Sequence, residues 1–313
     1  MKTYQRPACL FNAHLETIWP ALMRRPPLPD YRRERIATAD DDFLDLDWLC
    51  CGFERLVIIS HGLEGDSRRA YVTGMANAFR SAAWDVLAWN FRGCSGELNA
   101  RPRFTHNGSS EDLGAVVEHA VAKGRYRKVV LVGFSMGGNL SLVYLGRKPG
   151  AVPEQVRGAA VFSVPCDLAA AADRLAEPSN RIYMQRFLRL MGKKVMLQSQ
   201  RYPELFPVEG YRQLRTFHQF DARYTAPLHG FSDECDYWAQ SSSLGYLAGI
   251  RIPAWIINAR NDPFLPEACY PKCRFPEVTL LAPDHGGHCG FSLFGNGGRF
   301  WSEELALSLM DAV

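Results

Sequence analysis

A mostly parallel α/β sheet, opened by an antiparallel hairpin, covered by helices on both faces and interrupted by a helical insertion, is the architecture that this 313-residue sequence predicts. Three observations carry that expectation. From about residue 55 onward, short β-rich runs alternate with helix-like segments, the pattern of strands joined by crossover helices. The run KVVLVGF at Lys128–Phe134 is apolar after its leading lysine, as a strand buried on both faces must be. Between Cys166 and about Ser243 the alternation stops, and afterwards it resumes.

The elements follow in order. In the first fifty-four residues Pro26, Pro27 and Pro29 break any helix, and Arg32–Trp48 alternates as a leading hairpin would. RLVIIS at Arg55–Ser60 is a buried strand ended by His61-Gly62, and Tyr71–Ala82 is helical. DVLAWN at Asp85–Asn90 is the next strand, closed by Arg92-Gly93. Glu111–Ala122 places Leu113, Val116, Val117 and Ala120 at helical spacing behind an acidic first turn. After Lys128–Phe134 come a helix over Met136–Gly146 and a strand over Gly158–Val164. Pro253–Asn258 and Glu277–Leu281 supply the last strands, and Phe300–Met310 a terminal helix with Ser302 as N-cap. The expected organisation is an N-terminal extension with leading strands over 1–54, a core over 55–165 and 244–313, and a helical lid over 166–243.

Composition removes several classes of function. Hydrophobic residues make up 47% and charged residues 22%, with 36 basic against 33 acidic side chains dispersed along the chain. A net charge of +3 gives no basic stripe for nucleic acid. No apolar run approaches the roughly 20 residues that span a bilayer, and the N-terminus lacks the apolar stretch of a signal peptide. Nine scattered cysteines do not form a disulfide framework, so a cytoplasmic setting is expected. Cys269 and Cys273 have no partner ligands at metal-site spacing, and we expect neither metal nor cofactor.

The chemistry concentrates in three loops. Gly133-Phe134-Ser135-Met136-Gly137 fits G-x-S-x-G between a strand and a small-residue helix, where flanking side chains would collide with neighbouring backbone. That context makes Ser135 the candidate nucleophile. A serine hydroxyl needs a base, expected in a loop after the last strand, where Asp284-His285-Gly286-Gly287-His288 offers two histidines. His288 is the chosen base because His-Cys-Gly-Phe resembles the His-x-Gly-Phe that closes such loops; the exchange of roles with His285 stays open. Asp262, in the turn Asn258–Pro263, is the acid that would orient the base, with Asp284 as the alternative. The oxyanion would be held by the N–H groups of Met136 and of Leu63, the latter within His61-Gly62-Leu63-Glu64-Gly65. His61 reads as an anchor of that loop.

With these residues in place the sequence resembles the YheT-like branch of the α/β-hydrolases over nearly its whole length. Asn12-Ala13-His14 with Glu16-Thr17-Ile18 looks like the branch's Asn-x-His-x-x-Thr-Ile signature, although Glu16 stands where the branch usually has Gln. Asn90-Phe91-Arg92-Gly93-Cys94-Ser95-Gly96 and His106-Asn107-Gly108 before Glu111-Asp112 resemble two further loops. The resemblance implies the α/β-hydrolase fold and hydrolysis of carboxylic esters, with acyl transfer to alcohols in some eukaryotic relatives. For His14, Arg92 and His106 a buttressing role is expected.

The leading functional expectation is a serine esterase acting on a small-molecule ester of short to medium acyl chain. An acyltransferase built on the same three residues, and a catalytically silent ligand-binding protein, are the alternatives. In the insertion, Tyr183, Met184, Phe187, Leu190, Met191, Phe217 and Phe220 exceed what a solvated loop carries, and are expected to roof an acyl pocket above Ser135.

Overall fold

The computed structural model describes residues 3–295 and 297–313. Its centre is an eight-stranded sheet in the order β1-β2-β4-β3-β5-β6-β7-β8. The chain opens on helix α1 (Ala13–Met23), then the hairpin β1 (Arg32–Ala37) and β2 (Phe43–Leu49), in which β2 is antiparallel both to β1 and to its other neighbour in the sheet. The remaining strands run parallel: β3 (Arg55–Ser60), helix α2 (Ala70–Ser81), β4 (Asp85–Asn90), helix α3 (Ser110–Ala122), β5 (Lys128–Phe134), helix α4 (Met136–Arg147) and β6 (Val156–Phe162). Five helices follow: α5 (Leu168–Ala176), α6 (Arg181–Gln198), α7 (Phe217–Phe220), α8 (Ala226–His229) and α9 (Glu234–Ser241). The chain then returns to the sheet with β7 (Ala254–Ile257) and β8 (Val278–Leu281), and ends on α10 (Trp301–Asp311).

Period-2 alternation sorts the central strands between two cores. Leu56, Ile58, Leu87, Trp89 and Leu131 pack under α3 and α4, while Val57, Ile59, Val86, Ala88 and Val132 pack under α2 and α10. Both faces are therefore apolar, which is why these strands read as continuous hydrophobic runs. The helices between β6 and β7 keep a separate core around Met184, Val195, Phe206 and Tyr224, joined to the sheet domain through Phe264 and Leu265.

Three local expectations need correction. A helix does form ahead of the prolines: Asn12 caps α1 by accepting from the Leu15 N–H at 2.9 Å, and Pro20 is accommodated inside it. Strand β6 ends at Phe162, two residues early, because Ser163 turns to φ 54° and leaves extended geometry. Ser302 does not cap α10. That helix begins at Trp301, and the Glu303 carboxyl accepts the N–H of Phe300 at 3.0 Å.

One buried ion cluster fastens the hairpin to the sheet's edge. The Arg92 side chain, 2% exposed, donates to Asp112 at the start of α3, and to Asp40 and Asp42 in the β1–β2 turn, at 2.8–3.1 Å. Removing the guanidinium takes away the ion-pair partner of the buried Asp42 and Asp112 carboxyl groups. Arg92→Leu is expected to cost about 3–5 kcal/mol of unfolding free energy, measured by urea denaturation; a loss below about 1 kcal/mol would contradict this role.

Candidate active site

Ser135, Leu63, Asp262 and His288 all lie in loops beyond the carboxyl ends of parallel strands: β5, β3, β7 and β8 respectively. That edge is where open α/β sheets bind ligands. Ser135 has φ 53° and ψ −119°, a strained conformation for a residue with a side chain, held by its N–H bond to the Phe162 carbonyl at 2.8 Å. The adjacent glycines are steric necessities. A Cβ on Gly133 would come within 2.5 Å of the Gly137 carbonyl oxygen, and one on Gly137 within 2.4 Å of the carbonyl oxygens of Ser60 and His61.

The loop after β3 lies directly against this turn. A Cβ on Gly62 would be 3.4 Å from the Ser135 Cβ. Tyr71 Oη accepts the Gly62 N–H at 2.9 Å, and the Gly65 N–H closes the loop onto the Gly62 carbonyl at 3.0 Å. His61 is buried between the Gly62 carbonyl, 2.7 Å from Nδ1, and the Phe91 N–H, which donates to Nε2 at 3.1 Å. Nε2 is thus the acceptor and Nδ1 carries the proton. Burial lowers its pKa to about 3, against the bond to Gly62. A ring so placed anchors the loop and has no free nitrogen for proton transfer.

Asp262 and His288 meet. His288 Nδ1 is 2.9 and 3.1 Å from the two carboxylate oxygens of Asp262, which is buried and also accepts the Phe264 N–H at 2.9 Å. The Phe264 ring covers the imidazole at 4.1 Å between centroids. Burial works against a charged ring at His288, but the Asp262 carboxylate, followed by Cys289, outweighs it and raises the pKa. No hydrogen bond joins Ser135 Oγ to His288 Nε2, although both side chains line the same two cavities. Such bonds are often loose without substrate. His285 faces elsewhere, with Nδ1 3.9 Å from Glu16, and Asp284 lies near Arg260 on the exposed outer side.

Sequence reasoning missed what holds the histidine loop. Glu16, 1% exposed, accepts the N–H of Gly286 with one carboxyl oxygen and the Asn261 side-chain amide, at 2.9 Å, with the other. Asn261 in turn accepts the Gly287 N–H at 3.1 Å, and Thr17 Oγ1 accepts the His288 N–H at 2.9 Å. Helix α1 therefore ties the acid's loop to the base's loop. The only hint in the sequence was the Glu16-Thr17 signature itself. His14 reaches the other way, with Nδ1 3.0 Å from the Tyr183 hydroxyl on α6.

Two cavities open from Ser135 and His288, and Phe187 and Phe264 line both. The first, with about 120 Å³ of free volume, runs beneath the inserted helices between Met136, Leu168, Met191, Phe217 and Phe220. Its polar end holds His106, Asn107 and Asp221. Burial raises Asp221 to about 6 despite hydrogen bonds from Thr225 and Trp238. The second, about 350 Å³, leads outward past Tyr183, Leu190, Leu22 and Ile182. Met184 lines neither; it packs within the inserted helices. Among the described residues no cluster of His, Cys, Asp and Glu could hold a metal ion, and no helix is long and apolar enough to cross a membrane. All nine cysteines are free.

The fold is that of the α/β-hydrolases, and a model of the alpha/beta hydrolase fold family matches residues 55–293, so the chain belongs to that family. Within it the chain is a member of the YheT-like branch: it is 31% identical to Escherichia coli (strain K12) YheT, whose name assigns it provisionally to the esterases, over 90% of this chain and 84% of that one. Mouse phospholipase ABHD3 is 29% identical, over 87% of this chain and 69% of its own. Among solved structures, a Pyrococcus furiosus esterase superposes with a TM-score of 0.59 at 18% identity, covering 92% of this chain and 98% of that one. At that identity it speaks for the fold.

Two outcomes follow for the site. A base must be neutral to accept a proton, so with His288 as the candidate base activity should be lost as pH falls through its pKa. The raised pKa puts the midpoint of the acid limb of kcat/KM above the ordinary imidazole value of about 6.5. Asp262→Asn should bring that midpoint down and cut kcat by about 10⁴; an unmoved limb would count against the pairing.

Glu16 is expected to act through loop position. Glu16→Ala should lower kcat about a hundredfold with KM little changed, while Glu16→Gln, which keeps an acceptor for Gly286, recovers most of the loss. A variant that raises KM alone would place Glu16 in substrate binding instead.

Proposed function

We propose that this protein is a carboxylic ester hydrolase that works through an acyl-enzyme on Ser135. The observation that carries the reading is the Asp262–His288 pair sharing a cavity with a serine held in a strained turn at a helix N-terminus. The names of the relatives, esterase and phospholipase, have ester hydrolysis in common.

In this mechanism His288 Nε2 takes the Ser135 proton as Oγ attacks the ester carbonyl carbon. The negative charge forming on the carbonyl oxygen is received by the N–H groups of Leu63 and Met136. Met136 is the first residue of α4, so its amide has no partner within the helix. Collapse expels the alcohol, which takes the proton from His288. Water then gives a proton to His288 Nε2 and attacks the acyl carbon. Collapse breaks the bond to Oγ, which takes that proton back from His288, releasing the acid and restoring Ser135 and the neutral ring. Asp262 keeps the proton of the neutral ring on Nδ1, leaving Nε2 free to accept, and balances the charge of the imidazolium.

The helices between β6 and β7 act as a lid whose lower face makes the acyl site, with Phe187, Met191, Phe217 and Phe220 supplying its apolar wall. Burying an acyl chain there gains up to about 0.8 kcal/mol per methylene until the cavity is full. The outward cavity takes the alcohol portion.

One experiment tests the whole reading. On p-nitrophenyl esters of increasing length, kcat/KM should climb from acetyl by up to about fourfold per methylene and then fall. Met191→Ala should move the maximum to a longer chain. Ser135→Ala should fold normally, lose fluorophosphonate labelling, and retain no more than about a thousandth of wild-type turnover. Full labelling of Ser135→Ala would overturn the nucleophile, and a flat response to length in wild type and Met191→Ala would overturn the acyl site.

A further inference from the structure

The large apolar side chains left exposed among the described residues are not spread over the molecule. All of them belong to residues 11–28, 182–208 and Phe294, and none to the helices that cover the sheet. Several stand round one opening. Leu22 on α1 and Ile182 on α6, 56% and 72% exposed, line the outward cavity that reaches Ser135 and His288. Met23 follows at 62%, and Phe294 packs its ring against Trp19 of the same helix.

Charge on this side is equally one-sided. Helix α6 carries Arg181, Arg186, Arg189, Lys193 and Lys194 and no acidic residue. Lys194 turns inward to Glu64 at 2.8 Å, whereas the other four are exposed and make no ion pair among the described residues. Elsewhere many arginines are paired, as Arg33, Arg35, Arg92, Arg103 and Arg125 are. Around Arg186 the neighbouring charges are those of Arg69 and Arg189, which together with burial lower its pKa. Arg186 lines the outward cavity beside Ile182, while Arg181, Arg189 and Lys193 are exposed on the same helix, the first two along a neighbouring cavity. Unpaired cations and protruding apolar side chains on one helix match a surface that is negatively charged outside and apolar beneath.

We propose that the rim formed by α1 and the outer face of α6 docks on a lipid surface bearing anionic head groups, with the outward cavity facing the bilayer. The cations meet the head groups, and Leu22, Met23 and Ile182 enter the boundary beneath them. An apolar ester then passes from lipid to Ser135 without crossing water. The proposal rests on the ester-hydrolase reading for its purpose, but docking is measured apart from catalysis.

Vesicle flotation with the Ser135→Ala protein tests it, using phosphatidylcholine alone and with about one third phosphatidylglycerol. The protein should float with the anionic vesicles, less with the neutral ones, and less again at high salt. Joint reversal of Arg181, Arg189 and Lys193 to Glu should weaken binding more than about tenfold, while hydrolysis of p-nitrophenyl acetate by the otherwise wild-type protein stays unchanged. Should that triple variant unfold, Met23→Asp decides, since it must also weaken binding. No flotation with anionic vesicles, flotation indifferent to these changes, or capture of soluble polyglutamate without vesicle binding would overturn the proposal. Hydrolysis without docking would leave the catalytic reading standing alone, and docking without hydrolysis would do the reverse.

Discussion

The turn at Ser135 is the constraint to which the rest of the molecule is fitted. A left-handed backbone at a residue with a side chain costs about 1–3 kcal/mol, and it persists only where the surroundings over-determine it. Here they do so on three sides. The Phe162 carbonyl holds the Ser135 N–H, the Ser60 and His61 carbonyls press on Gly137, and the Gly62 backbone fills the space beside the serine Cβ. Each of these contacts needs neighbouring strands in their observed register, with Gly133 of β5 opposite Ser60 of β3. The apolar cores on both sheet faces stabilise that register, so packing far from the serine sets its geometry.

A second tie does for Asp262 and His288 what the sheet does for the serine. Asp262 and His288 stand on separate loops, and neither loop has regular structure to fix it. Glu16 and Thr17 on α1 collect the amides of Gly286 and His288 and the side chain of Asn261. Close packing adds to this, because a Cβ on Gly290 would come within 2.2 Å of the Glu16 carbonyl oxygen. The segment before the sheet is thereby part of the site's framework.

Much of this was legible in the sequence, and the reasons differ by element. Strands β3, β4 and β5 were read with their observed ends because burial on both faces leaves only apolar side chains between polar loop residues. Ser135, Asp262 and His288 were picked as a candidate site because chain order and the glycines of the turn leave a local pattern, and the structure brings Asp262 against His288, which lines a cavity with Ser135. Helix α1 was not read: its exposed Leu22 and Met23 spoil any apolar stripe, and Pro20 argues against a helix. Its task is polar, and a carboxyl group accepting a backbone N–H 270 positions away leaves no mark in periodicity. Met184 failed as a pocket residue for a related reason. Helical spacing shows that a face is buried, not which of two neighbouring cores receives it.

Helix α6 answers to both cores and to solvent, and one ion pair shows how its position reaches the chemistry. Lys194 and Glu64 are 13% and 12% exposed and 2.8 Å apart, and Lys194 also lies 3.1 Å from the Cys94 thiol. Glu64, at φ 54°, immediately follows Leu63, whose amide is proposed to receive the oxyanion. A pair this enclosed recovers its desolvation cost only at close range, so separating the partners is far more costly than for a surface pair. Any displacement of α6 would pull on Glu64, the residue next to Leu63. The Lys194–Glu64 pair thus fastens α6 to the loop that carries Leu63, so the packing of the inserted helices bears on the amide proposed to receive the oxyanion.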